Sequence, residues 1–129
     1  MPLPAGPGRV RHDPRVLTDG ERTFLRAQRV ARLATATADG VPDVVTVRYQ
    51  MRGDDLVVGG PGFDATIAWA NLAATSRAAV LVEERHGEVP DRGVVVQGLA
   101  RPVPGAAVPV VAITATVVRG FGLEPSALG

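Results

Sequence analysis

The residues that most often carry chemistry are few and scattered. The two histidines, His12 and His86, lie in a Pro/Gly-rich start and a polar stretch, and there is no cysteine in the 129 residues. No histidine or thiolate cluster for metal or triad chemistry can therefore be assembled from sequence neighbours, and no metal is expected. The carboxylate pairs Asp54-Asp55 and Glu83-Glu84 invite an acid/base reading, but adjacent residues in turns or at strand ends point apart. They read better as solvated turn residues. Gly59-Gly60-Pro61-Gly62 stands before a predicted helix. Helix N-terminal amides attract anions, so the stretch reads either as an anion or cofactor contact or as a turn that needs glycine conformations; it matches neither a P-loop nor a dinucleotide fingerprint. Thr66, in the first turn of that helix, either donates its hydroxyl to such an anion or bonds the backbone. Trp69, the single tryptophan, is either a packing residue or a pocket wall.

The charge pattern narrows the partners. Fourteen basic residues face 13 acidic ones, for a net charge of +1, and every basic residue is Arg. The arginines are dispersed and aromatics make up only 4%, whereas nucleic-acid binders cluster their cations on one face with stacking aromatics. No stretch approaches the roughly 20 apolar residues of a bilayer-spanning helix, and Met1 to Val16 holds no apolar run of signal-peptide length. Together with the missing cysteines, this gives the expectation of a cytoplasmic protein that binds neither membrane nor nucleic acid.

The elements that must position these residues follow from periodicity. Pro2, Pro4, Pro7 and Pro14 with Gly6 and Gly8 exclude a helix, so residues 1–17 are expected to be a flexible tail without a core role, and 18–129 a single domain. Thr18 and Glu21 have capping-box spacing ahead of a helix over 19–29, anchored by Phe24 and Leu25. The period then becomes alternating. Strands are predicted over 30–37, around Val45 to Met51 and over 56–58, joined by turns at Asp39-Gly40 and Gly53-Asp54-Asp55. Val45, Val47, Tyr49 and Met51 share one face of the second strand, while Thr46, Arg48 and Gln50 share the other. A second helix over 64–74 precedes strands over 78–82, 94–103 and 110–118. The unbroken apolar run of Ala78 to Val82 suggests a strand covered on both faces. Six short strands left open would expose long edges, so the expected fold is mainly β, a six-stranded antiparallel barrel with two short helices.

Phe24 to Gln28, Arg32 to Ala36 and Asp39 to Pro42 resemble successive blocks of the pyridoxamine 5'-phosphate oxidase-like, FMN-binding split-barrel family. Thr66, Trp69, Asn71-Leu72, Ser76 to Val82, Arg92-Gly93, Gln97 to Ala100 and Val118 to Glu124 continue the series in order. The resemblance covers about Asp19 to Glu124 and is strongest to the deazaflavin-dependent branch. It implies a split barrel, a homodimer with sites at the subunit interface, and an oxidoreductase in which bound FMN or the deazaflavin coenzyme F-420 exchanges hydride with a small organic substrate. No catalytic dyad is then required, because the cofactor carries the chemistry. Thr46, Arg48, Gly59, Gly60 and Thr66 would line the cofactor site, and Trp69 and Asn71 would be structural. One departure bears on function: members of the family place a Lys or Arg near the start of the second helix, where this chain reads Asp64 to Ala70 without a cation. Either Arg48, Arg52 or Arg77 takes over the phosphate, or the barrel has lost the cofactor and serves as a ligand-binding or structural homodimer. A second departure is the short link from Pro104 to Pro109, where relatives carry a helix.

Overall fold

The computed structural model describes residues 9–11 and 17–123. In chain order the elements are β1 (Arg9–Arg11), α1 (Asp19–Ala27), β2 (Val30–Ala36), β3 (Pro42–Arg52), β4 (Asp55–Gly59), a 3-10 turn (Phe63–Ala65), α2 (Ile67–Thr75), β5 (Arg77–Arg85), β6 (Pro90–Pro102) and β7 (Val110–Phe121). All pairings are antiparallel. The strands run β7-β4-β3-β2-β5-β6, and β6 returns to β7, so the sheet closes into the six-stranded barrel that the alternation predicts. Closure removes most of the edge that six open strands would expose, although residues 42–48 of β3 are paired on the β2 side alone.

The period-2 pattern decides what lies inside. Leu33, Val47, Tyr49, Leu56, Val58, Val80, Val82, Val94, Val96, Ile113 and Val118 point inward and are buried. Fully burying side chains of this size contributes about 1.5–3 kcal/mol each. α1 begins at the predicted capping box: Thr18 Oγ1 accepts from the Glu21 amide at 3.1 Å, and Glu21 Oε1 accepts from the Thr18 amide at 2.8 Å. The helix ends at Ala27, two residues earlier than its periodicity suggests, with Phe24 and Leu25 seated on the barrel. α2 begins at Thr66, after the separate 3-10 turn. Asn71, on α2, is buried and donates to Thr35 Oγ1 at 3.0 Å, the structural role expected of it.

Three expectations are corrected. Much of the presumed tail lies outside the described residues, but Arg9–Arg11 pair with Gly120, Arg119 and Val118 as a seventh strand, and Leu17 is buried in the core. Three residues are too short for periodicity to reveal a strand. β5 is covered on one face only: Ala78, Val80 and Val82 are buried, whereas Ala79 and Leu81 remain half-exposed on the outside. The carboxylate pairs do point apart, but into ion pairs. Asp54 meets Arg22 at 2.8 Å, and Asp55 meets Arg101 at 2.9 Å.

Candidate functional site

β3 carries the main polar surface of the barrel. Arg48, Gln50 and Arg52 alternate with the buried or half-buried Val47, Tyr49 and Met51, so all three face outward from one strand. Beside them the chain leaves α1 through Gln28 and Arg29 and enters β2, whose first residue, Val30, pairs with Arg48. This brings Arg26, Gln28 and Arg29 to the same place. The β6–β7 link supplies the far wall through Ala106, Ala107 and Val108, and Val57, Gly59 and Val110 lie below. The result is an open groove of 740 Å³ with four arginines, two glutamines and no carboxylate in its lining.

The electrostatics of this groove are one-sided. Five of the seven arginines outside the groove for which side chains are described are matched: Arg22 with Asp19 and Asp54, Arg32 and Arg85 with Glu83, Arg92 with Glu84, and Arg101 with Asp55; Arg77 and Arg119 stand apart from one another on β5 and β7. Arg26 is felt by Asp54, whose carboxyl is held below its ordinary range chiefly by its hydrogen bond from Arg22. Arg29, Arg48 and Arg52 have no ion-pair partner among the described residues. Like charges gathered without a counter-charge repel, and a bound anion relieves that repulsion. Planar guanidinium forks also match phosphate and carboxylate oxygens bidentately.

The other residues marked by the sequence fall as follows. Arg48 and Gly59 line the groove. Thr46 lines a neighbouring hollow of 480 Å³, which shares Gln28 and Arg29 with the groove. Gly60 lies just past the groove floor, and its amide donates to the Pro109 carbonyl at 3.0 Å. Gly59 has φ +126°, and a Cβ there would stand 2.6 Å from the Pro109 oxygen and 2.9 Å from the Phe63 ring. The glycine stretch is thus built against the β6–β7 link. Thr66 Oγ1 accepts from the Trp69 amide at 3.1 Å and donates to the Phe63 carbonyl at 2.6 Å, which makes it the N-cap of α2. Trp69 packs edge-on to Phe63, with ring centroids 5.8 Å apart, and borders two smaller hollows. Arg77 begins β5, opposite Leu99, away from the groove lining.

Sequence reasoning named Arg48 and Arg52 but missed Arg26, Gln28, Arg29 and Gln50 as part of one site. The strand half of the signal was visible, since residues 48, 50 and 52 must share a face. The helix half was not, because nothing local says where the end of α1 sits relative to β3.

His86 lies in the β5–β6 hairpin, exposed and beside Asp91. Among the described residues no group of three or more His, Asp or Glu side chains could hold a metal ion, and no helix is long and apolar enough to cross a membrane.

A closed antiparallel split barrel is a known structural class, and comparison with known proteins places the chain within it. Residues 17–116 match the family described as pyridoxamine 5'-phosphate oxidase, and the chain belongs to that family. It is 34% identical over 92 residues to a 5a,11a-dehydrotetracycline/5a,11a-dehydrooxytetracycline reductase from Streptomyces rimosus subsp. rimosus, a match covering 67% of this chain and 64% of that protein. The chain thus spans a little under two thirds of that relative's length. Among solved structures, a conserved hypothetical protein from Mycobacterium tuberculosis superimposes with a TM-score of 0.66 at 19% identity, covering 88% of this chain and 93% of the other. An FAD-binding protein from Mesorhizobium loti gives 0.62 at 23% identity, covering 88% and 97%. A heme-binding protein from Mycobacterium smegmatis gives 0.66 at 20% identity, covering 83% and 55%. These similarities fix the fold.

Proposed function

We propose that this protein is an oxidoreductase that uses a flavin or deazaflavin, FMN or coenzyme F-420, and that the arginine groove holds the anionic end of that cofactor. The observation that carries the reading is the gathering of Arg29, Arg48 and Arg52, none with a carboxylate partner, in one groove large enough for a ring-bearing ligand. The reductase relative and the FAD-binding neighbour point the same way. The missing cation at the start of α2 is then compensated from β3 and from the end of α1. Arg48 and Arg52 would grip phosphate oxygens. Gln28 and Gln50 offer amide donors and acceptors to ring or ribityl atoms, and Met51, Val57 and Val108 supply apolar wall. Gly59 lets the groove floor pack directly against the β6–β7 link that forms its wall, and Thr46 and Thr66 contribute at the margins, Thr66 by fixing the start of α2. Arg77 would act only in a second copy or not at all. When bound, the cofactor supplies hydride transfer; the protein supplies position and charge.

The reading includes a homodimer. The outer faces of β2, β3, β5 and β6 carry Val30, Val44 and Leu99, 52%, 62% and 49% exposed, together with Ala34, Ala79 and Leu81. An apolar surface of this kind on a small barrel favours a second copy.

Calorimetric titration of the purified chain with F-420 and with FMN tests the proposal, alongside its oligomeric mass by light scattering. Micromolar binding of either cofactor, weakened about tenfold or more by Arg48→Ala, is expected, in line with the loss of a hydrogen bond to a charged group. Failure of both cofactors to bind the dimer overturns the proposal and leaves the barrel as a ligand-binding or structural relative.

A further inference from the structure

The arginines of the groove come from two elements, and one residue joins them. Tyr49 is 5% exposed and points into the barrel between the outward-facing Arg48 and Gln50. Its hydroxyl donates to the Leu25 carbonyl at 2.5 Å, and its backbone amide donates to the Arg29 carbonyl at 3.0 Å. Leu25 lies in the last turn of α1, where carbonyls have lost their intrahelical donors. The two bonds therefore grip the chain at both ends of the segment carrying Arg26, Gln28 and Arg29. Nothing in that segment is held by a salt bridge of its own; Gln28 reaches Glu84 at 3.1 Å, and Arg26 and Arg29 are exposed.

We infer that Tyr49 is a positioning residue for anion binding: its hydroxyl holds the end of α1 in register with β3, so that Arg26 and Arg29 converge with Arg48 and Arg52 on one ligand. This rests on the groove being an anion site. Tyr49 borders the groove but acts in this scheme through the arginines it positions. It sets the distance between two pairs of cations, and affinity for a ligand with several anionic oxygens depends on that distance.

The test uses inorganic pyrophosphate and FMN as probes, titrated by calorimetry into the full chain and into Tyr49→Phe, which keeps the ring and its packing. At temperatures where both proteins are fully folded, Tyr49→Phe is expected to bind pyrophosphate about fivefold more weakly, the worth of a neutral hydrogen bond spent on positioning. A double-mutant cycle then separates positioning from general loosening. The loss should vanish in an Arg26→Ala/Arg29→Ala background and persist in an Arg48→Ala background. Unchanged affinity in Tyr49→Phe, or a loss undiminished without Arg26 and Arg29, overturns the inference. If the wild-type chain binds pyrophosphate but neither FMN nor F-420, the cofactor proposal alone fails. If it binds none of the three, both fail.

Discussion

Gly59→Ala should be among the most damaging single-methyl changes in this protein, and its cost can be worked from two separate terms. The first is backbone: Gly59 has φ +126°, a conformation that costs a residue with a Cβ about 1–3 kcal/mol. The second is contact. The new methyl would stand 2.6 Å from the Pro109 carbonyl oxygen and 2.9 Å from Phe63 Cδ2, so either the β6–β7 link or the Phe63 ring must move. Forcing an extra methyl into a packed site adds about 1–3 kcal/mol, for a combined expectation of about 2–6 kcal/mol. Gly40→Ala provides the control. Its φ is +95° and nothing lies within 4 Å of its Cβ, so it carries the backbone term alone. Urea unfolding followed by the fluorescence of Trp69 measures both, and the difference between the variants isolates the contact term. A Gly59→Ala midpoint no lower than that of Gly40→Ala would refute the claim that the glycine stretch is shaped by the link behind it. Because that link forms one wall of the groove, Gly59→Ala should also weaken FMN or F-420 binding, whereas Gly40→Ala should not.

Other expectations can be checked with modest effort. Asn71→Ala removes a buried donor and leaves Thr35 Oγ1 without it, so a loss of about 1–3 kcal/mol in urea unfolding is expected. Tyr49 is the single tyrosine, and burial pushes its phenol up from 10.0. The folded state therefore retains the proton after the unfolded chain would lose it, and stability is expected to fall as pH rises above about 10. An alkaline absorbance titration should show tyrosinate appearing with unfolding; a phenol that ionises at its ordinary value in the folded protein would contradict this. At the acid end, Asp54 is held low chiefly by its hydrogen bond from Arg22, and Glu84 chiefly by that from Arg92. Their contributions are present above the ordinary carboxylate values of 3.8 and 4.5 and are lost as pH falls through the lowered ones. Arg22→Ala should flatten the acid limb of a melting-temperature profile; an unchanged limb would count against the pairing.

Local signals made most of the frame legible before any coordinates. The Thr18–Glu21 cap, the alternation of β3 and the Asp39-Gly40 turn each rest on a few neighbouring residues, and the closure of six strands followed from the penalty on open edges. Where the reading failed, the deciding contact was remote. Arg9–Arg11 form a strand because β7 offers them a partner more than a hundred positions later in the chain. Ala78 to Val82 looked covered on both faces because small and branched apolar residues suit either exposure. The Glu83-Glu84 and Asp54-Asp55 pairs looked solvated because their arginine partners come from other elements. The groove shows the same limit: spacing put Arg48 and Arg52 on one face, and only the packed end of α1 could add Arg26 and Arg29.

The short strand β1 bears on how the protein keeps its identity in a crowded solution. β7 is twelve residues long and β6 follows one side of it, but β4 covers only the stretch from Val110 to Ile113 on the other. The upper part of that side, Val118 to Gly120, would be a row of vacant backbone donors and acceptors, the kind of template on which foreign strands add. Arg9–Arg11 occupy that row. A three-residue segment thus acts as a stopper, reserving with its own backbone a stretch of β7 onto which a foreign strand could otherwise add.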